Sequence, residues 1–178
     1  MLRAIALGLA SLALIPTVAL AHGPTRQKVT ETVEINAPAD KVWATIGNFQ
    51  DMSWHPAVAS QTGKGDNAID ATRVLTLQGG GTIDEVLYKY EPEKMSYSYR
   101  ITAVDVKVLP VTNYSSTITV KPADDGKKSI VEWRGAFYRG YPNNDPPPEL
   151  NDDAAIAAVT GVYKGGLEGL KKKLEQGS

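Results

Sequence analysis

The sequence contains no cysteine and only two histidines, His22 and His55, among its 178 residues. Without cysteine the chain cannot form disulfide bonds, thiolate metal sites or covalent haem attachments. Two imidazoles are too few for a histidine-rich metal centre, and a copper site at a free amino-terminal His22 would have only His55 to add a second imidazole. We therefore expect neither a metal nor a redox cofactor.

The sequence also lacks a strong excess of charge of either sign. It carries 19 Lys and Arg against 20 Asp and Glu, which gives a formal net charge of −1. Its one basic cluster, at 171–173, lies near the end of the predicted last helix, where cations interact favourably with the helix dipole. Because nucleic-acid binding usually requires a basic patch or stripe, we expect no nucleic-acid partner.

Long apolar runs are absent after the amino terminus. There, Arg3 precedes an apolar segment at 4–14 that is too short to span a bilayer, and residues 19–21 match the small-residue pattern of a cleavage site. The pattern predicts a signal peptide at 1–21 and a mature single domain at 22–178, exported to a bacterial periplasm and not anchored in a membrane after cleavage. The alternative is an uncleaved membrane anchor.

Alternating apolar and polar residues predict about seven β-strands in the mature chain. The predicted strands lie at 28–35, 58–62, 72–77, 82–90, 94–104, 114–121 and 129–137. Short connections rich in Gly, Pro, Asp and Asn separate most of them, which favours an antiparallel sheet. Together with a short helix after the first strand and a long last helix, these strands predict an α+β fold.

Start signals and apolar spacing predict the helices. The first follows Asn36, Ala37 and Pro38, with Asn36 as its cap. The long helix covers 151–176 and is capped by Asn151. It carries four glycines, Gly161, Gly165, Gly166 and Gly169. These glycines either leave room for a ligand or permit close packing and are tolerated near the surface, and we favour the second interpretation.

Period-2 alternation separates inward-facing from outward-facing side chains on the longer strands. The predicted inward set is Tyr97, Tyr99, Tyr114, Trp133 and Phe137, with Tyr163 facing it from the last helix. Two alternatives remain for the strand at 82–90, an inward set of Ile83, Glu85 and Leu87 or one of Val86, Tyr88 and Tyr90. Buried hydroxyl and indole N–H groups need partners, so this interior is a candidate ligand cavity.

The segment after the first helix carries Trp54, His55 and Pro56. Asp51 is close to His55 in sequence and could orient its imidazole for acid–base chemistry. The alternative is a surface or capping histidine, and we favour it because no nucleophile motif or second convergent acid accompanies His55. The sequence contains no identifiable catalytic set, which favours a protein without enzymatic activity.

These features together resemble the START-like, Bet v 1-like superfamily of helix-grip proteins, which includes the polyketide cyclase/dehydratase group. The matching residues are Ala37, Pro38, Val42, Trp43, Trp54 and Pro56. The resemblance implies a curved antiparallel sheet wrapped around the long last helix, with one or two short helices after the first strand. It also implies a cavity between the sheet and the last helix, with Trp54 and His55 at its mouth. One function that it implies is the binding of a small hydrophobic or aromatic ligand by Trp54, His55 and the inward set.

A finer resemblance connects the chain to the MxaD-type periplasmic proteins of bacterial methanol oxidation. It rests on the predicted signal peptide and on the segments WHP at 54–56, EPEKMSYSYRI at 91–101 and VEWRGAF at 131–137. It implies an accessory role that promotes electron transfer from methanol dehydrogenase to its cytochrome c acceptor. The candidate contact surfaces are an exposed Trp54 and a rigid loop with Pro146, Pro147 and Pro148, since prolines reduce the entropy lost on docking.

Overall fold

The computed structural model describes residues 23–176. The predicted signal peptide and the candidate copper ligand His22 lie outside this range. The elements, in chain order, are β1 (Gln27–Ile35), α1 (Ala39–Ile46), β2 (Val58–Lys64), β3 (Thr72–Leu77), β4 (Thr82–Glu91), β5 (Ser96–Val104), β6 (Val111–Ala123), β7 (Lys128–Arg139) and α2 (Asp152–Gln176). Single 3-10 turns at Pro92–Lys94, Asp124–Gly126 and Pro148–Leu150 interrupt the connections.

The seven strands form one antiparallel sheet in the order β1-β7-β6-β5-β4-β3-β2. Each strand from β2 to β7 pairs with its sequence neighbour, whereas β1 pairs with the last strand, β7. Helix α2 packs across one face of the sheet against β1 and β7. The predicted α+β architecture, a curved sheet around a long carboxy-terminal helix, is confirmed.

The inward face of β4 is the first of the two predicted alternatives. Ile83, Glu85 and Leu87 are buried, whereas Tyr88 is 41% exposed. Val86 is buried as well. The β4–β5 pairing contains two irregularities, with Thr102 of β5 and Tyr88 of β4 as the extra residues. The extra residue at Tyr88 shifts the alternation after Leu87, so Tyr90 of the other alternative packs against the core, with its ring 5.9 Å from that of Trp43.

The predicted helix starts are right for α2 and wrong for α1. Asn151 caps α2, because its Oδ1 accepts a hydrogen bond from the Ala154 N–H at 2.8 Å. Helix α1 begins at Ala39 without a side-chain cap. The backbone N–H of Asn36 instead donates to Glu175 near the end of α2, at 2.8 Å. Turns and a bend connect α1 to β2 in this part of the described chain, so one short helix follows the first strand, where one or two were expected.

The hydrophobic core lies between the inner face of the sheet, α1 and α2. Helix α2 contributes Val159, Tyr163, Leu167 and Leu170, spaced at three or four residues as a single helix face requires. Within residues 23–176, no helix is long and apolar enough to cross a membrane.

Candidate functional site

A pocket opens between the inner face of the sheet, the 105–109 loop and the middle of α2. Its floor is formed by Leu75, Ile83, Tyr99, Tyr114 and Trp133, and half-buried apolar residues surround its mouth. The mouth residues are Val58, Leu77, Ile101, Val108 and Val162. A largely apolar pocket with a few polar groups is the usual form of a small-molecule site.

The pocket volume, about 80 Å³, limits what it can hold. Drug-sized ligands usually occupy roughly 300–1,000 Å³, and an engineered cavity of about 150 Å³ is known to bind benzene. This pocket therefore suits a molecule of about one ring, part of which would extend into the mouth.

All members of the predicted inward set are buried, with at most 5% of any of them exposed. Glu132 and Arg134, which alternate with Trp133, lie on the outer face with partial or full exposure. The predicted register of β5, β6 and β7 is therefore confirmed.

Only half of the eight candidate cavity residues line the pocket. His55, Tyr99, Tyr114 and Trp133 do so. Trp54, Tyr97, Phe137 and Tyr163 pack in the surrounding core instead. An inward-facing side chain therefore does not always reach the pocket, because most of these side chains fill the space between the sheet and the helices.

A chain of hydroxyl groups runs behind the pocket wall. Ser116 donates to the Arg134 carbonyl at 2.9 Å, so the 3.1 Å contact between Ser116 and Tyr163 is a bond that Tyr163 donates. Tyr114 must then donate to Tyr163 at 2.6 Å. Ser116 also accepts from Trp133 Nε1 at 2.8 Å. Burial raises the pKa of Tyr114 and Tyr163, which keeps both protonated and the direction of the chain fixed.

Tyr99 is the exception among the buried pocket hydroxyls. Its oxygen accepts from Trp133 Nε1 at 3.2 Å, but its own O–H has no acceptor among the described residues. Burial raises the pKa of Tyr99 well above its usual value, so the group stays protonated. Tyr99 therefore offers the pocket a hydrogen-bond donor.

His55 is a structural residue in this site. Its Nδ1 accepts from the Ala57 N–H at 3.2 Å, and its Nε2 lies 3.0 Å from the Val162 carbonyl of α2. A carbonyl can only accept, so Nε2 carries the proton and the imidazole is neutral. Burial lowers the pKa of His55, the Val162 carbonyl opposes this shift, and the charge of Arg73 adds to it.

The predictions for His55 are correct in one part only. The favoured interpretation was a surface or capping histidine, and the surface part is wrong because the side chain is only 4% exposed, whereas the ring does cap the backbone N–H of Ala57. The acid–base alternative also fails, because both ring nitrogens are occupied and Asp51 does not contact the imidazole. The Asp51 carboxylate instead accepts from the Ser53 N–H at 2.8 Å and from Gln61 at 3.3 Å. Desolvation raises the pKa of Asp51, but these bonds outweigh it and the pKa is lowered.

Trp54 is not the exposed aromatic that the sequence suggested. It is 3% exposed, its Nε1 donates to the Asp51 carbonyl at 3.1 Å, and its ring packs edge-on against Trp133 at 5.7 Å. Trp54 therefore anchors the connection between α1 and β2 to the core. The prediction that it is an exposed partner contact is wrong.

The glycines of α2 fall into two groups, according to whether a side chain would have room. This agrees with the favoured interpretation, close packing or tolerance near the surface. A Cβ on Gly166 would lie 2.5 Å from His55, and one on Gly169 would lie 2.6 Å from Pro56. A Cβ on Gly161 or Gly165 would meet nothing within 4 Å. Two glycines thus let the 54–56 segment reach the helix backbone, and the other two are tolerated in open space.

A buried ion pair, which the sequence analysis missed, borders the pocket. Arg73 Nε lies 2.6 Å from Glu85 Oε2, with the two side chains 0% and 5% exposed. Arg73 Nη1 donates to the Phe49 carbonyl at 2.6 Å. The guanidinium lies over the rings of Phe49, at 4.2 Å, and Tyr99, at 5.0 Å. Of the two charged residues, Glu85 lines the pocket.

The pKa shifts of this pair follow from burial and mutual attraction. Burial alone would lower the pKa of Arg73, but the Glu85 carboxylate more than offsets this and the pKa is raised. Burial raises the pKa of Glu85, and Arg73 opposes that shift. The pair is ionised at neutral pH, because a neutral Glu85 would leave the guanidinium as an isolated buried charge.

The sequence does contain a signal for this pair. On β3, Arg73 shares a face with Leu75 and Leu77, and on β4, Glu85 shares a face with Ile83 and Leu87. The observed register of the hairpin is centred on Gly79, which places Arg73 opposite Glu85. Two opposite charges on the apolar faces of neighbouring strands therefore indicate a buried pair, although the glycine turn alone does not fix the register.

The loop that follows β7 is held in place by Arg139. This residue donates to the carbonyls of Tyr141 at 2.9 Å and Asn143 at 2.8 Å, and it pairs with Asp152 at 3.2 Å. Pro146 and Pro147 are half-buried and Pro148 is exposed, as is typical of an ordered surface loop.

Among residues 23–176, no cluster of three acidic or imidazole groups could hold a metal ion.

Residues 26–175 match the model of the family described as polyketide cyclase / dehydrase and lipid transport. No curated protein matches the chain. Among solved structures, an uncharacterized protein from Bacillus thuringiensis is 32% identical, with 84% of this chain and 99% of that chain covered and a TM-score of 0.71. The protein XoxI from Bacillus cereus is also 32% identical, with 83% and 95% covered and a TM-score of 0.71.

A more distant neighbour is norcoclaurine synthase from Thalictrum flavum. It is 16% identical, with 93% of this chain and 99% of that chain covered and a TM-score of 0.63. At this identity the likeness supports the shared fold, which is the Bet v 1-like helix-grip fold.

Proposed function

The chain belongs to the polyketide cyclase / dehydrase and lipid transport family, and from this membership we propose that it binds a small, mostly apolar molecule in the pocket between the sheet and α2. The observation that carries the proposal is the pocket itself, which is apolar in most of its lining and open at a rim of half-buried side chains. Burial of an apolar ligand there contributes roughly 25 cal/mol for each Å² removed from water.

The same residues favour binding over catalysis. Both nitrogens of His55 are occupied, and one oxygen of Glu85, Oε2, pairs with Arg73, which keeps the carboxylate ionised. General acid–base catalysis needs a titratable group within hydrogen-bond reach of the substrate and free to exchange a proton. His55 does not meet this requirement.

The proposal is tested with a panel of single-ring compounds and by enlarging one residue at the mouth. We expect saturable binding, measured by isothermal titration calorimetry, and a loss of at least about tenfold in affinity for Ile101→Phe, because the added ring fills the mouth. Ile130→Phe makes the same chemical change at an exposed position, 37% accessible, and should leave the affinity unchanged. Absence of saturable binding by every compound would overturn the proposal.

A second candidate function is the accessory role in methanol oxidation that the finer resemblance implies. What supports it is the loop at 141–150, whose order is maintained by the bonds of Arg139 to Tyr141 and Asn143. An ordered loop with exposed proline loses little entropy on docking to a partner. Under this proposal, the partners are methanol dehydrogenase and its cytochrome c, and the compartment is the periplasm.

The accessory proposal is tested by reconstituting electron transfer with purified dehydrogenase and cytochrome c. We expect this protein to speed cytochrome reduction, and we expect Gly/Ser replacement of Pro146, Pro147 and Pro148 to diminish the gain by at least about half. Pro92→Ser, in the turn between β4 and β5, is the matched control. Equal reduction rates with and without the protein, at low and high salt, would leave only the ligand-binding proposal.

A further inference from the structure

We propose that the pocket selects small uncharged molecules that combine an apolar body with one hydroxyl group, and that Glu85 accepts the hydrogen bond from that hydroxyl. This inference rests on the ligand-binding function proposed above and adds the chemistry by which the ligand is recognised.

One carboxylate oxygen of Glu85 has no partner in the protein. Oε2 accepts from Arg73 Nε at 2.6 Å, while no described group donates to Oε1. Glu85 lines the pocket among apolar neighbours such as Leu75 and Ile83. Oε1 is not enclosed by protein atoms and reaches the space of the pocket. A ligand hydroxyl placed against Oε1 would therefore donate to a charged acceptor, and such a bond is stronger than one between neutral groups.

The other polar side chains that line the pocket are already engaged. His55 uses both ring nitrogens, and Tyr114 donates to Tyr163. The exception besides Glu85 is Tyr99, whose O–H has no acceptor among the described residues. The pocket therefore presents one free acceptor and one free donor, and both belong to residues that contact the guanidinium of Arg73.

This pairing matches a hydroxyl group better than other common polar groups. A hydroxyl can donate to Glu85 and accept from Tyr99 at the same time, because it has one proton and two lone pairs. An ether could only accept, and an ammonium group could only donate.

Charge balance excludes ionised ligands. Arg73 and Glu85 neutralise each other, so an added ammonium or carboxylate would be a buried charge without a counter-charge. Arg73 does not line the pocket and cannot offer a direct contact to an anion. Its role is positioning, since it keeps Glu85 ionised and fixed in orientation.

The test compares four probes of similar size on the full chain at neutral pH: 4-methylphenol, toluene, benzylamine and benzoate. We expect 4-methylphenol to bind at least about tenfold more tightly than toluene, because a hydrogen bond to a charged group is stronger than a neutral one. Benzylamine and benzoate, both ionised, should bind more weakly than toluene.

The matched variants replace an ion pair by leucines. Arg73→Leu combined with Glu85→Leu removes the acceptor and leaves no unpaired charge, a change that buried pairs often tolerate. We expect this variant to bind 4-methylphenol and toluene with affinities within about twofold of each other. Lys121→Leu with Glu132→Leu removes an exposed pair, at 3.0 Å on the outer face, and should keep the preference of the natural protein.

The outcomes separate this inference from the function on which it rests. If toluene and 4-methylphenol bind equally to the natural protein, or if benzylamine binds most tightly, the hydroxyl preference is overturned and the pocket remains a binding site. If no probe binds, the ligand-binding function itself is overturned. Should the leucine pair at 73 and 85 prevent folding, the probe comparison on the natural protein decides alone.

Discussion

His55 connects the segment after α1 to the middle of α2 through the bond from Nε2 to the Val162 carbonyl, and its second bond, accepted by Nδ1 from the Ala57 N–H, needs a neutral ring. Protonation of Nδ1 would break the bond from the Ala57 N–H and place a second positive charge near Arg73. The residue therefore makes the stability of the fold depend on pH, in a direction that its surroundings determine.

The pKa of His55 in the folded chain lies below its ordinary value of 6.5. As the pH falls, the unfolded chain therefore binds more protons than the folded chain. The stabilisation is present above the unfolded pKa and is lost as the pH falls through it toward the folded pKa. We expect the free energy of unfolding, measured by urea denaturation, to decrease between about pH 7.5 and pH 5.5. His55→Gln should flatten this dependence, and an unchanged slope in that variant would contradict the assignment.

The burial of Trp54 and His55 could not be predicted from the sequence, for a physical reason. Trp54 and His55 lie in turns, where no periodicity indicates which side chains face the core. Their burial depends on α2, which approaches them through Val162 and Gly166 from much later in the chain. Exposure in such a segment is set by tertiary contacts, which local pattern cannot show.

At the scale of one element, α2 is shaped by the two kinds of glycine that it contains. Each glycine costs a helix about 1 kcal/mol relative to alanine. Gly166 is retained at that cost because His55 and Trp133 occupy the space of a side chain, with Trp133 Cζ3 at 2.8 Å from the position of a Cβ. Neither ring can move aside easily, since His55 is doubly hydrogen-bonded and Trp133 stacks on Tyr163 at 4.4 Å.

We therefore expect opposite effects from the same substitution in this helix. Gly166→Ala should destabilise the protein by about 1–3 kcal/mol through overpacking. Gly161→Ala, which meets open space, should stabilise it by about 0.5–1 kcal/mol. Urea or thermal unfolding measures both changes. Equal changes of the same sign would show that the close contact at Gly166 is relieved at little cost.

The strands were predictable where alternation is regular. The bounds of β3 agree with the prediction, and the inward faces of β5 and β7 follow from Tyr97, Tyr99 and Trp133. The inward face of β4 could not be resolved from its own sequence because both alternating sets contain apolar residues and the set with Ile83 and Leu87 also contains the charged Glu85. The Arg73–Glu85 pair could be recognised only by reading the two strands together, since neither charge alone indicates its partner.

At the scale of the whole molecule, the family and the fold could be predicted and the pocket could not. The order of elements and a short set of residues around Ala37, Pro38 and Trp43 were sufficient for the helix-grip architecture. The position and volume of the pocket depend on the gaps that remain between inward-facing side chains. These gaps depend on loop 105–109 and on the volumes of side chains across the sheet. Sequence pattern gives directions of side chains but not the space that remains between them.

The pairing of β1 with β7 has a consequence for how the chain reaches this structure. Gln27 lies opposite Phe137 and Ile35 opposite Ser129. The first strand therefore has no partner until residues about 100 positions further along the chain have been synthesised. Domains dominated by such non-local pairing fold in roughly milliseconds to seconds, slower than helical bundles. Until β7 arrives, the edge of β1 and its apolar Val29 and Ile35 remain open to other chains, which makes the nascent protein a natural client for chaperones.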